Sequence, residues 1–163
     1  MEYQLRKALP EDLSRIQDIY AHARRFMEQT GNPHQWGKNF PLTTQLMEDI
    51  ENGDLYVLIQ DEIIHGVFYF YIGPDPTYCI IEDGHWRSDS PYGTIHRIAG
   101  DGSGGILAAA VAFGKSKINH LRIDTHEDNK IMQRAVVKIG FQRSGIIYVE
   151  DGSPRIAYDL LIE

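Results

Sequence analysis

The chain has 163 residues, and its 16 Lys and Arg against 23 Asp and Glu give a net charge of −7. With 42% hydrophobic and 24% charged residues, the composition excludes a disordered chain, and the length predicts one compact domain over residues 1–163. The negative charge argues against nucleic acid as a partner, because no basic face is evident to neutralise phosphates. No apolar run approaches the ~18 residues of a membrane span, so a membrane protein is not expected.

The N-terminus and the cysteine count predict a cytoplasmic location. No apolar stretch follows the charges of Met1–Lys7, so a secretory signal is not predicted. Cys79 is the only cysteine, which makes an intramolecular disulfide impossible and favours a reducing compartment.

Hydrophobic spacing in the first half of the chain predicts one strand, two helices and an antiparallel meander. The first helix opens at Pro10 and ends at Gly31-Asn32-Pro33. Asp61-Glu62 forms a tight turn between two strands, and Tyr78 to Ile81 is predicted to extend the meander before a polar loop. The remaining ranges are strand 2–7, helix 43–52, strands 54–60 and 63–72, and loop 82–93.

The second half predicts a strand, a helix and a parallel strand, followed by a helix and two strands. The predicted ranges are strand 94–99, a helix to about Lys117, strand 121–125, helix 127–139 capped at Thr125, and strands 141–149 and 155–162. The fold class is therefore α/β (α+β mixed): a mostly antiparallel sheet with one central parallel pair and helices on both faces.

The turn Gly100–Gly105 has four glycines in six residues between a strand and a helix. Glycine permits positive φ and a close approach of ligand to backbone, and the first-turn N–H groups of the helix attract anions. A pyrophosphate site and a loose surface turn both fit this segment.

The Gly-x-Gly-x-x-Gly pattern of a dinucleotide-binding fold also matches Gly100, Gly102 and Gly105, but late in the chain and without a second βαβ unit. Gly114-Lys115-Ser116 resembles the end of a P-loop but closes a helix.

The segment Asp124–Asn129 closes a strand and opens a helix. Acidic residues suit a helix N-terminus, which accounts for most of these charges. A metal site formed by Asp124, His126 and Asp128 is the alternative, although no metal is predicted as the preferred interpretation.

The combined motifs resemble the GCN5-related N-acetyltransferase (GNAT) superfamily. The resemblance is carried by the glycine-rich strand-to-helix turn, the helix Asn129-x11-Phe141 with Gly140 at its end, Arg6-Lys7-Ala8-x-x-Glu11-Asp12, and the order of elements. It covers essentially the whole chain. It implies an acyl-CoA N-acyltransferase fold, acetyl-CoA as co-substrate, and direct transfer of the acetyl group to an amine acceptor.

Two positions depart from the family's pattern. Asp101 stands where the family usually has Arg or Gln, and Val136 stands where many members have a tyrosine that protonates the leaving thiolate. A non-catalytic acyl-CoA-binding module of the same fold is therefore the alternative function. An interaction protein that pairs through its last strand is a third hypothesis, and a homodimer through the sheet edge is left open.

The resemblance implies a cofactor site between the two parallel strands, which splay at their carboxyl ends. The pantetheine arm is expected against the backbone of Ile98 and Ala99, and Asn129 on the other side of the cofactor. The pyrophosphate is expected on the amides of Gly102, Ser103, Gly104, Gly105, Ile106 and Leu107.

The acceptor amine must react in its neutral form, so a base is needed. His96 and His126 are the candidate catalytic residues, and each is alternatively a structural histidine. Trp36, Glu82 and Trp86 are the candidate acceptor-binding residues, although the two indoles alternatively plug the ends of the core. Glu82 and Tyr148 are further candidates for the base.

Overall fold

The computed structural model describes residues 2–162, so Met1 and Glu163, the ends of the predicted domain, lie outside the described residues. The helices are α1 Leu13–Gln29, α2 Thr43–Asn52, α3 Ile106–Lys115 and α4 Lys130–Ile139. The strands are β1 Gln4–Lys7, β2 Leu55–Gln60, β3 Ile63–Ile72, β4 Gly93–Gly100, β5 His120–Thr125, β6 Gln142–Tyr148 and β7 Pro154–Leu161. Single turns of 3-10 helix lie at Pro10–Asp12 and Pro76–Tyr78.

The strands form one sheet in the order β1-β2-β3-β4-β5-β7-β6. The pair β4–β5 is parallel, and the other neighbouring pairs are antiparallel. β4 and β5 run parallel because α3 carries the chain from the end of β4 back to the start of β5, and this pair lies in the middle of the sheet. The predicted fold class is thus confirmed.

Helices cover both faces of the sheet, and each face has its own apolar cluster. On one face lie Ile16, Ile19 and Tyr20 of α1 with Leu46 and Ile50 of α2. On the other face lie Ile106, Ala110 and Val111 of α3 with Val136 of α4. Over β5 and β7, a smaller cluster around Tyr78 and Ala157 packs under the connection 73–92. Among residues 2–162, none of the helices combines the length and apolarity that crossing a bilayer requires.

Two predicted elements differ from the structure. Tyr78 to Ile81 does not extend the meander: Tyr78 ends a 3-10 turn over 76–78, and residues 79–81 form no strand. The turn forms because Asp75 Oδ1 accepts from the Thr77 amide at 2.9 Å and Pro76 has no N–H for a ladder. Helix α4 begins at Lys130 instead of residue 127, because Asn129, not Thr125, caps it by accepting from the Met132 amide at 3.0 Å.

The last strand does not offer a free edge. β7 lies between β5 and β6 and is hydrogen-bonded to both, which removes the basis for an interaction protein that pairs through this strand. The edge strand β6 is itself bridged at Ile146 by Glu82 of the 73–92 connection.

The start of α3 is fixed to the sheet by a close approach at two glycines. Gly66 of β3 and Gly100 of β4 pair across the ladder. A Cβ at either residue would come within 3 Å of the Ile106 side chain, at 2.6 Å and 2.8 Å respectively. Without side chains there, Ile106 seats directly on the sheet and holds the first turn of α3 next to the end of β4.

Candidate active site

The parallel strands β4 and β5 separate soon after they begin. Their register contains the pairs Gly93–Leu121 and Thr94–Arg122, and β4 then continues along β3 to Gly100. In the part of the chain that the structure describes, the β5-facing edge of β4 has no strand partner beyond Thr94. The predicted splay is therefore present, and it opens a gap at the carboxyl ends of both strands.

A β-bulge re-aims the side chains of β4 next to this gap. Between Val67–Ala99 and Tyr69–His96 the β4 strand has one extra residue, and Arg97 adopts a left-handed φ of 49°. As a result, His96 and Arg97 lie on the same face, the one covered by α1 and α2. Arg97 pairs with buried Asp49 of α2 at 2.9 Å and stacks on the ring of Tyr69, while its carbonyl accepts from the Tyr20 hydroxyl at 2.6 Å.

The glycine-rich turn has the backbone geometry that its composition predicts. Gly102, Gly104 and Gly105 have φ values of 93°, 88° and 75°, conformations that L side chains rarely adopt, and Gly105 is the N-cap of α3. The amides of Ile106 and Leu107 follow in the first helical turn, where no intrahelical acceptor exists. The Tyr3 hydroxyl donates to the Gly104 carbonyl at 2.6 Å and holds the turn against the N-terminus.

The Asp101 carboxylate stabilises this turn through hydrogen bonds, and both of its oxygens have partners within the protein. Its Oδ2 accepts from Arg15 at 3.0 Å and lies 2.8 Å from His65 Nδ1, while its Oδ1 accepts from both the amide and the hydroxyl of Ser103. Burial opposes ionisation of Asp101, but the bonds from Ser103 and His65 bring its pKa below the ordinary value. Arg15 thus compensates the charge at the position that departs from the family's pattern. The amide of Ser103, a predicted cofactor contact, is committed to Asp101.

His96 lies at the splay between two carboxylates. Its Nε2 is 2.7 Å from Asp75 Oδ2, and its Nδ1 is 3.6 Å from Asp124 Oδ2 of β5. The Tyr78 hydroxyl donates to that same Asp124 oxygen at 2.6 Å. Burial pushes the pKa of Asp75 up, but hydrogen bonds from His96 and Thr77 outweigh it and lower the pKa to about 2. Asp75 is therefore ionised at neutral pH and accepts a hydrogen bond from the Nε2–H of His96.

The other candidate base, His126, is engaged locally. Its Nδ1 accepts from the Asp128 amide at 3.0 Å, so the lone pair that a base needs is in use. Burial and the nearby Arg155 guanidinium lower the pKa of His126. His126 lies just after the end of β5. Its hydrogen bond to the Asp128 amide orders the turn before α4.

Asn129 links the start of α4 to the loop between α1 and α2. Besides capping α4 through its Oδ1, it donates from Nδ2 to Gln35 Oε1 at 3.0 Å. The same Gln35 oxygen accepts from Asn32 at 2.9 Å and lies 3.4 Å from the Thr125 hydroxyl. These bonds tie the loop across the end of β5, and they use groups of Asn129 that a cofactor contact would need.

The predicted acceptor-binding residues lie in three places. Trp36 packs partly buried against the rings of Tyr20 and Phe40, and Trp86 donates to the Tyr78 carbonyl at 3.0 Å. Both indoles thus pack against core clusters, and their role in acceptor binding stays a prediction. Glu82 lies at the β6 edge, where it accepts from the Tyr148 hydroxyl at 2.9 Å, and the structure does not bring this pair to His96. Asp75 and Tyr78, which sequence reasoning did not select, take the places beside His96.

Solved structures share this architecture, although no family model and no curated protein matches the chain. A GNAT-family acetyltransferase from Streptococcus agalactiae is 31% identical, with a TM-score of 0.87 over 99% of this chain and 96% of that one. A GNAT-family acetyltransferase from Listeria monocytogenes is 20% identical, with a TM-score of 0.73 over 99% and 96%. The Salmonella typhimurium protein yncA, solved with its cofactor acetyl-CoA, is 15% identical, with a TM-score of 0.60 over 99% and 94%.

The last two similarities concern the fold, whereas the first extends to sequence over nearly the whole of both chains. Together with the splayed parallel strands and the glycine-rich turn into α3, that similarity establishes the family: the chain belongs to the GNAT family of acetyltransferases.

Proposed function

We propose that this protein transfers the acetyl group of acetyl-CoA to an amine by direct attack in a ternary complex, with His96 as the general base. The observation that carries the proposal is the Asp75–His96 pair at the strand gap, because a proton held on Nε2 by Asp75 leaves Nδ1 as the ring nitrogen that can take a proton. The amine nitrogen bonds to the acyl carbon, the carbon–sulfur bond breaks, and the amine proton passes to His96 Nδ1.

The glycine-rich turn fits a diphosphate. The amides of Gly102, Gly104, Gly105, Ile106 and Leu107 are the groups we expect to hold it, since they combine positive-φ backbone with the positive end of the α3 dipole. The cofactor supplies the activated acyl carbon. The residues of this chain hold it in place and deprotonate the acceptor.

No tyrosine protonates the leaving thiolate from the position where many family members have one. Val136 of α4 occupies that position and is fully buried in the core. Because a free thiol has a pKa of roughly 8.5, an unprotonated leaving group is tolerable near neutral pH. Val136 is also the observation that favours the alternative, a non-catalytic acyl-CoA-binding module.

Calorimetry with acetyl-CoA and a thiol-release assay over a panel of amines test the proposal together. We expect acetyl-CoA to bind and at least one amine to be acetylated. His96→Gln should lower kcat by roughly 10²- to 10⁴-fold, the usual contribution of a positioned base, with unchanged affinity for acetyl-CoA. His85→Gln, an exposed loop histidine, is the control and should behave as wild type. Binding without turnover of any amine would establish the non-catalytic module, and absence of binding would reject both functions.

A further inference from the structure

A serine, a histidine and an aspartate form a chain of contacts between the 73–92 connection and the sheet, apart from the contacts around His96. The Ser90 hydroxyl oxygen is 3.2 Å from His120 Nδ1, and His120 Nε2 is 3.1 Å from Asp159 Oδ2. His120 and Asp159 are 1% and 0% exposed, whereas Ser90 lies exposed on the surface. A buried histidine thus joins a buried carboxylate to a hydroxyl that a reagent in solution can reach.

Asp159 decides which nitrogen of His120 carries a proton. Burial pushes the pKa of Asp159 up, but hydrogen bonds from His120 and Arg87 outweigh it and lower the pKa to about 2. The ionised carboxylate accepts from Nε2–H, so Nδ1 of the neutral ring has a lone pair and is an acceptor. Two oxygens of Ser90 lie near Nδ1, the hydroxyl at 3.2 Å and the carbonyl at 3.3 Å. Only the hydroxyl can donate, so it is the partner of a neutral His120.

Ser88 orients the hydroxyl of Ser90. Its Oγ donates to Ser90 Oγ at 2.9 Å and accepts from the Ser90 amide at 3.0 Å. Since the Ser90 oxygen already receives this hydrogen bond, its own proton is directed to His120. The Ser88 carbonyl accepts from buried Arg122 at 2.9 Å, and the ring of Tyr92 lies edge-on to that of His120 with 5.9 Å between centroids. The hydroxyl and the imidazole therefore have the mutual positions that a serine nucleophile and its base require.

The same three residue types also meet at the glycine-rich turn, but in a different order. Ser103 Oγ is 3.0 Å from His65 Nδ1, and Asp101 faces that same nitrogen at 2.8 Å. Asp101 also accepts from the Ser103 hydroxyl at 2.6 Å. The Ser103 proton therefore points to a carboxylate instead of an imidazole lone pair, and this cluster does not activate its serine.

We propose that Ser90 is a nucleophile that takes the acyl group of an activated ester, with His120 as its base and Asp159 as the positioning residue. The Ser90 oxygen bonds to the acyl carbon, the bond from that carbon to the leaving oxygen breaks with its electron pair, and the Ser90 proton passes to His120 Nδ1. Asp159 stabilises the imidazolium that forms. Water then attacks the serine ester, the serine oxygen leaves and regains a proton, and a carboxylic acid is released.

The exposure of Ser90 limits the substrate to esters with a good leaving group. An enclosed site stabilises the oxyanion with fixed donors, whereas at an exposed serine water solvates this charge with a smaller gain. A leaving group that is stable as an anion, such as a phenolate, lowers the barrier without such donors. This ester-cleaving activity goes beyond the proposed acetyl transfer to amines and does not depend on it.

A kinetic experiment follows the release of 4-nitrophenol from 4-nitrophenyl acetate by wild type, Ser90→Ala and Ser116→Ala. Ser116 is the matched control, because it is also exposed but its hydroxyl donates to the Phe113 carbonyl at 2.6 Å. We expect Ser90→Ala to release 4-nitrophenol no faster than the chain unfolded in urea, and Ser116→Ala to match wild type. Equal release by wild type and Ser90→Ala would overturn the proposal.

A labelling experiment tests the base. Diisopropyl fluorophosphate forms a stable ester with an activated serine as fluoride leaves, and mass spectrometry of the tryptic peptide 88–97 locates the label. We expect the label on Ser90, formed roughly 10²- to 10⁴-fold more slowly in His120→Gln, the usual contribution of a positioned base. Should that variant fail to fold, the wild-type chain in urea gives the same comparison, because unfolding also separates Ser90 from His120. No label on Ser90, or labelling at the same rate without the folded His120, would show that the contact is only structural.

Discussion

The two ring nitrogens of His96 have different partners, and this difference decides which one can act as a base. Nε2 faces Asp75, whose pKa of about 2 keeps it an acceptor throughout the neutral range. Thr77 holds Asp75 in turn, with its amide at 2.9 Å and its hydroxyl at 2.6 Å, and Asp75 stands between two prolines that restrict its backbone. A rigid carboxylate therefore holds a proton on Nε2 and sets the orientation of the imidazole.

Asp75→Asn tests this orienting role. The amide can donate as well as accept, so His96 is no longer restricted to the Nε2–H tautomer, and we expect kcat to fall by up to about 10⁴-fold. Affinity for acetyl-CoA by calorimetry should be unchanged. The exposed Asp89 in the same connection provides the control substitution, Asp89→Asn, which should keep full activity. A wild-type kcat in Asp75→Asn would show that Asp75 does not orient the base.

The sequence predicts His96 as a candidate base but not the groups that surround it. Histidine on the strand before a glycine-rich turn is a local signal, whereas Asp75 comes from an irregular segment 21 residues away and meets His96 only through the fold. Its one local signal is its place between Pro74 and Pro76, which predicts a rigid turn. Asp124 was interpreted as part of a helix start or metal site, because its residue type suits both.

At the scale of elements, prediction was most accurate where local signals agree. Helix α2 and strand β3 have the predicted bounds, 43–52 and 63–72, because apolar periodicity and turn residues point to the same limits. The bulge in β4 has no such signal. An arginine at a φ of 49° is unfavourable by itself, and tertiary contacts of Arg97 with Asp49 and Tyr20 compensate for it.

The glycine-rich turn offers a test with a matched control elsewhere in the chain. Gly104 and Gly152 both have positive φ, 88° and 83°, and no atom lies within 4 Å of a Cβ added to either. Alanine at either position should therefore lower the free energy of unfolding by about 1–2 kcal/mol through backbone strain alone. Gly104→Ala should additionally weaken acetyl-CoA binding by about tenfold or more, since one misdirected amide loses a bond to a charged ligand. Urea unfolding and calorimetry measure the two effects. Equal acetyl-CoA affinity in both variants would contradict the assignment of the diphosphate to this turn.

At the scale of the whole molecule, one buried carboxylate fastens the 73–92 connection to the sheet. Asp159 of β7 is fully buried and accepts from the Arg87 side chain at 2.7 Å, His120 at 3.1 Å and Ser144 at 3.0 Å. Burial alone raises the pKa of Asp159, but these hydrogen bonds outweigh it and lower the pKa to about 2. The same connection carries Asp75 and Tyr78, so this anchor holds the segment that places two side chains beside His96.

The anchor predicts how the protein responds to acid. As pH falls, the unfolded chain protonates Asp159 near its ordinary pKa of ~3.9, before the folded chain does, so its contribution of roughly 2–3 kcal/mol is complete above about pH 5 and is lost progressively toward about pH 1. Asp159→Asn should be less stable than wild type by about that amount at pH 7, and its stability should fall less steeply below pH 4. Urea unfolding across this range measures both effects, with Asp61→Asn in the exposed β2–β3 turn as control. Parallel pH profiles for Asp159→Asn and wild type would mean that other carboxylates govern the acid response.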